Sequence, residues 1–105
     1  MRNALKGHVD LLLLSALEDD PAHGYELVET LRERSEGAFD LAEGTVYPAL
    51  YRLERQGLLE SQRAVVDRRQ RRMYTITNKG KAALGEGAKK WRAFARGVSA
   101  VLETT

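Results

Sequence analysis

Between His8 and Glu18 the apolar residues Val9, Leu12, Leu13, Ala16 and Leu17 recur at the spacing of one helical face. Leu11 and Leu14 fall off that stripe, so this helix is apolar nearly all round and must be buried on two sides. Asp19-Asp20-Pro21 stops it, because proline disfavours helix at the residue before it. A second helix is predicted from about Ala22 to Ser35, with Tyr25, Leu27, Val28 and Leu31 on its apolar side and Gly37 placed for a C-terminal cap. After a short extended link, Ala38-Phe39-Asp40-Leu41, a third helix covers about Glu43 to Gln56 and ends at Gly57. Pro48 lies near its first turns, where a missing amide costs least. The period then changes. Leu58 to Val65 and Arg72 to Thr77 are short β-type runs, and the segment 66–71 joins them into a hairpin. From Asn78 a helical pattern resumes, with Thr77 or Asn78 as N-cap. Leu84, Ala88, Trp91, Ala95, Val98 and Leu102 form a stripe along it, widened by Phe94 and Val101.

Three helices, a two-stranded hairpin and a long helix describe a mainly α fold: a winged helix-turn-helix over residues 1–77 and a C-terminal dimerisation helix over 78–105, forming one unit. A stripe of heptad-like steps on the last helix needs something to pack against. The expected cover is a second copy, with Leu11, Leu14, Leu84, Ala88, Trp91, Phe94, Ala95, Val98 and Leu102 at a two-fold interface. In this arrangement the last helix of one subunit packs on the first helix of the other.

Composition narrows the function by exclusion. The chain of 105 residues carries no cysteine, hence no disulfide framework, thiolate nucleophile or zinc knuckle. No apolar run is long enough to span a bilayer, and Met1-Arg2-Asn3-Ala4-Leu5 does not read as a signal peptide. A cytoplasmic protein is expected. His8 and His23, taken with the nearby Asp10, Asp19 and Asp20, match no metal-ligand spacing. Ser15 sits on an apolar helix without a nucleophile elbow, and there is no glycine-rich phosphate loop. Neither an enzyme nor a cofactor is expected.

Net charge is only +2, but it is unevenly divided. Residues 1–44 hold four Lys or Arg and ten Asp or Glu, whereas residues 45–105 hold thirteen and five. The basic part coincides with the two elements that a winged helix offers to DNA. On the third helix, Val46, Leu50 and Leu53 face the core, and the opposite face carries Gly44, Pro48, Tyr51, Arg52 and Arg55 with Thr45 at its edge. Arginine can read guanine bidentately, and tyrosine and threonine hydroxyls can reach phosphates or bases. In the hairpin, Arg63, Arg68, Arg69, Arg71 and Arg72 stand against Asp67. Five arginines and no lysine suit phosphate recognition or a minor groove better than simple solvation.

Three stretches together resemble the PadR family of bacterial transcriptional regulators: His23-Gly24-Tyr25-Glu26-Leu27, the block GTVYPALYRLERQGLL beginning at Gly44, and the block RRMYTITNKG beginning at Arg71. The resemblance covers about residues 8–84. It implies a homodimeric winged-helix DNA reader, here of the short form with a single C-terminal dimerisation helix. Regulators of this family commonly repress genes for stress response, efflux or phenolic-acid detoxification. On this basis Tyr47, Pro48, Tyr51 and Arg52 match the recognition-helix motif, and Arg68 to Arg72 the basic wing. One departure is Ala42-Glu43, where many relatives carry Ser or Pro before the Gly-Thr pair. The expected partners are double-stranded DNA at a pseudo-palindromic operator, a second copy, and a small aromatic effector. Trp91 has two readings, interface anchor or contact for a planar effector. The rival function is a winged-helix adaptor, or a ligand-binding dimer, that acts through protein contacts without DNA.

Overall fold

A computed structural model describes residues 8–103. The charged start Met1-Arg2-Asn3-Ala4-Leu5 lies outside the described residues. The elements run α1 (Val9–Ala16), α2 (Gly24–Arg34), α3 (Glu43–Arg55), β1 (Leu59–Val66), β2 (Arg69–Ile76) and α4 (Asn78–Glu103). These helices and the antiparallel hairpin make a winged helix-turn-helix continued by one long helix.

The core gathers one side of every element. Val9, Leu13, Leu14 and Leu17 at α1 meet Leu27 and Leu31 of α2 and Val46, Ala49, Leu50 and Leu53 of α3, with Leu59, Tyr74, Ile76 and Leu84 closing the rest. Leu41, in the link before α3, is also buried and anchors that link. α1 packs against α2, α3 and α4, which is why it is apolar on more than one face.

The second helix begins later than its apolar pattern suggests. Ala22 is extended and exchanges two backbone hydrogen bonds with Tyr74, at 2.8 and 3.1 Å, so it pairs with the root of the hairpin. His23 then caps α2: its Nδ1 accepts from the Glu26 amide, and the Glu26 carboxylate accepts from the His23 amide. Gly24 follows because a Cβ there would lie 2.5 Å from the Tyr47 ring. Gly24 therefore leaves room for the Tyr47 ring to lie over the start of α2.

The hairpin is also tighter than expected. The strands continue to Val66 and Arg69, leaving only Asp67 and Arg68 in the turn. Both have positive φ, 51° and 66°, the signature of a two-residue type I′ turn. Asp and Arg lack the Asn-Gly signal that marks such turns, so the sequence pattern alone predicts a longer connection over 66–71.

Two residues expected at a dimer interface are core residues of the single chain. Leu14 is 3 % exposed and Leu84 8 % exposed. Both are taken up because the first part of α4 folds back onto α1 of its own chain. Leu11 is partly used in the same way, since a Cβ on Gly87 would lie 2.8 Å from its Cδ1.

Candidate nucleic-acid interface

The recognition surface starts from the strict division of α3 into two sides. Val46, Ala49, Leu50 and Leu53 are buried, while Gly44, Thr45, Tyr47, Pro48, Tyr51, Arg52 and Arg55 are exposed. Ala42 precedes the helix in extended conformation and offers no side-chain cap, so Glu43 in the first turn is the residue that complements the helix dipole. Pro48 sits inside the helix and leaves the Gly44 carbonyl without its helical donor. Gly44 has open space where a side chain would be. Backbone is thus uncovered on the outward side of the helix.

The cationic residues of this face are held differently. The Arg55 guanidinium lies 5.7 Å from the centre of the Tyr51 ring, a cation–π contact that joins two consecutive turns on the outward face. Arg52 points to the flank, where its Nη2 donates to Asp10 Oδ1 of α1 at 2.5 Å. Tyr47 lies on the other flank, over Gly24 at the start of α2. Tyr25, assigned by periodicity to the apolar side of α2, is instead 51 % exposed and stacks near the His23 ring. It therefore stands on the outside at the start of α2, next in sequence to the Gly24 that Tyr47 covers. The signal that could have found it is the cap at His23, which makes Tyr25 a first-turn residue.

The wing projects its arginines from both faces of the hairpin. Arg63 pairs directly with Arg72, Ala64 with Arg71, and Val66 with Arg69. By strand alternation Arg63 and Arg72 leave from the face that carries Tyr74 and Ile76, whereas Arg69 and Arg71 leave from the other. Arg63, Gln70, Arg71 and Arg72 line an open hollow of about 300 Å³. Arg72 Nη1 donates to Ser61 Oγ at 3.0 Å, and Ser61 Oγ donates to the Glu54 carboxylate at 2.6 Å. This chain of bonds ties the wing to the end of α3. It also explains the behaviour of Tyr74 beneath it: burial and then the Glu54 carboxylate push its phenol above the ordinary value of 10.0, against a smaller downward pull from Arg72.

A joint between α3, the wing and α4 fixes the relative positions of these parts. Thr77 Oγ1 donates to the Gly57 carbonyl and accepts from the Gly80 amide, so one side chain caps α4 and grips the end of α3. Lys79 Nζ donates to the Gln56 carbonyl at 2.8 Å. Gly80 rests directly against the Leu58 carbonyl.

Beyond the joint, α4 leaves the body. Trp91 meets the His8 ring edge-on at 5.2 Å and lies 5.9 Å from Phe94. Trp91, Phe94, Val98, Val101 and Leu102 remain between 41 and 65 % exposed, and Ala88 and Ala95 are partly buried along the same helix. Among the described residues no helix is long and apolar enough to cross a membrane, and no group of three or more His, Asp or Glu is placed to hold a metal.

A three-helix winged domain with an exposed cationic third helix, an arginine wing and a protruding last helix defines the winged-helix class of DNA-binding regulators. Within that class the chain belongs to the PadR-like family of transcriptional regulators, whose pattern it matches over residues 13–86. It is 40 % identical over 98 residues to Transcriptional regulator Rv3488 of Mycobacterium tuberculosis, covering 93 % of this chain and 89 % of that one. Its fold is similar to a PadR family regulator from Eggerthella lenta, with TM-score 0.83, 34 % identity and coverage of 98 % and 88 %. It is also similar to a PadR family regulator from Clostridium difficile, with TM-score 0.80, 34 % identity and coverage of 90 % and 98 %. The family and these relatives are transcriptional regulators, not enzymes.

Proposed function

We propose that this protein is a homodimeric repressor that binds a pseudo-palindromic operator through α3 and the wing, and that a planar apolar effector releases it. The observation that carries the DNA reading is the coincidence of two exposed basic elements on one rigid domain, joined through Glu54, Ser61 and Arg72. α3 enters the major groove with Thr45, Pro48, Tyr51 and Arg55, and with Tyr47 and Arg52 at its flanks. Arg68, Arg69 and Arg71 follow the backbone or the minor groove beside it. Tyr25, at the start of α2, takes a phosphate on the flank, because the first helix of a helix-turn-helix crosses the backbone.

The second copy covers the exposed apolar face of α4. A monomer seldom leaves such a contiguous apolar stripe in water, and a two-fold arrangement hides both copies of it at once. Since Leu14 and Leu84 are core residues, the seam rests on Leu11, Ala88, Trp91, Phe94, Ala95, Val98 and Leu102. Trp91 anchors it, and its neighbours His8 and Phe94 make the aromatic surroundings in which a planar effector would stack. Binding there changes the separation of the two recognition helices, which is what operator spacing reads.

The test is a salt series of duplex binding by fluorescence anisotropy, with Trp91 emission followed during titration with planar aromatics. Arg69→Ala or Arg71→Ala is expected to weaken binding to every sequence and to flatten the salt dependence by about 0.9 per lost phosphate contact. Duplex affinity independent of salt, and unaltered by both substitutions, would remove the DNA reading. Quenching of Trp91 without loss of duplex affinity would remove the effector switch alone.

A further inference from the structure

Arg52 and Arg55 stand one turn apart on the same helix, yet among the described residues only Arg52 meets a carboxylate, and that carboxylate comes from another helix. We propose that Asp10 is a specificity-determining residue that acts through Arg52: it buttresses the guanidinium so that Arg52 reads a base edge and does not drift to a phosphate. The inference rests on the DNA-binding reading above and names a residue outside both DNA-facing elements.

The geometry supports a buttress in three ways. The contact uses a single atom, Nη2, and leaves Nε and Nη1 free to donate elsewhere. Guanidinium is a rigid planar fork, so anchoring Nη2 narrows the directions in which Nε and Nη1 can point. Both partners are partly exposed, with side-chain exposures of 49 % for Arg52 on the flank of α3 and 39 % for Asp10 on α1, so the held guanidinium stays accessible to a duplex. Asp10 is itself well placed. It sits in the first turn of α1, where the helix dipole favours a carboxylate, and α1 is locked against α2, α3 and α4.

The consequence follows from what an unrestrained arginine does near DNA. A mobile guanidinium gains as much from any phosphate as from a base, which raises affinity for all sequences and discriminates between none. Held by Asp10, Arg52 reaches fewer phosphates, and its ordering entropy is already spent before it meets a guanine. The negative charge of Asp10 adds to the effect by repelling a backbone that approaches in the wrong register. The exposed ion pair adds little to folding, since pairs of this kind contribute weakly to stability.

The experiment uses the full chain and two probes: a duplex enriched by the unsubstituted protein from a random library, and the unselected library itself. Asp10→Asn is expected to reduce the ratio of the two affinities about three- to tenfold, by weakening the enriched duplex and strengthening the unselected one. The salt slope on unselected DNA should rise by about 0.9, one added phosphate contact. Arg52→Ala is expected to lose discrimination at least as strongly, and Asp10→Asn added to Arg52→Ala should change the ratio no further. Thermal melting of each variant within a few degrees of the parent shows that the fold is kept.

Asp10→Asn strengthening both probes equally would show Asp10 to be a plain competitor for Arg52, and would overturn the proposal. Equal weakening of both probes, with a lowered melting temperature, would show a structural pin and overturn it also. An enriched duplex whose discrimination ignores Asp10 defeats the buttress while leaving DNA recognition standing. A library that yields no enriched duplex defeats DNA recognition itself.

Discussion

Gly80 and Gly85 lie on the same helix and answer oppositely to one added methyl group. A Cβ at Gly80 would run into the Leu58 carbonyl, whereas at Gly85 it would meet open space. Gly80→Ala is therefore expected to destabilise the protein by about 1–3 kcal/mol or more, as overpacking against backbone does. Gly85→Ala should stabilise it by up to about 1 kcal/mol, the helix preference of alanine over glycine; urea unfolding of both variants measures the difference. Spacing alone did not distinguish these two glycines, because the Leu58 carbonyl comes from a distant part of the chain. Tyr74 gives a second prediction of this kind. Its phenol titrates above 10.0 in the folded state, so the folded chain keeps a proton that the unfolded chain releases. Stability from this group is complete below about pH 10 and is lost as pH rises through the raised value. Tyr74→Phe should flatten the decline in urea midpoint between pH 9 and 11 relative to the parent; equal declines would show that Tyr74 does not contribute.

Helix positions were legible in the sequence because each helix buries a stripe with the helical period, and α3 shows this most cleanly at Val46, Leu50 and Leu53. What periodicity could not supply was the start of α2, which depends on the Ala22 pairing with Tyr74, and the turn of the wing, which depends on two residues with positive φ. Arg68 carries a conformational cost at φ 66° that glycine would not. Arg68→Gly is thus expected to leave hairpin stability unchanged or raise it by up to about 1 kcal/mol, while weakening DNA binding across all sequences. A loss of stability together with unchanged DNA affinity would contradict the assignment of Arg68 as a cation held out for DNA. The same separation of roles runs along the wing: Tyr74 and Ile76 root it in the core, and the arginines toward its tip are exposed or partly exposed.

For the whole molecule, the asymmetry of charge between residues 1–44 and 45–105 was readable from composition, and so was a last helix with more apolar surface than one chain covers. How much of that surface the chain uses itself was not, since Leu84, Gly87 and Trp91 reach α1 only once α4 has folded back. The remaining stripe from Trp91 to Leu102 leads to an assembly prediction. Val98→Asp combined with Leu102→Asp should shift sedimentation from dimer to monomer and reduce operator affinity by at least tenfold, since both positions are exposed in the single chain. A dimer unaffected by both charges would place the interface elsewhere. Sequencing what the protein enriches from a random duplex library shows whether two copies offer paired recognition helices to DNA. A two-fold pair of α3 helices should enrich an inverted repeat whose half-sites are centred about 10 bp apart, or a whole multiple of that, matching one helical turn between them. Enrichment of a single unsymmetrical site, or of no sequence at all, would contradict it.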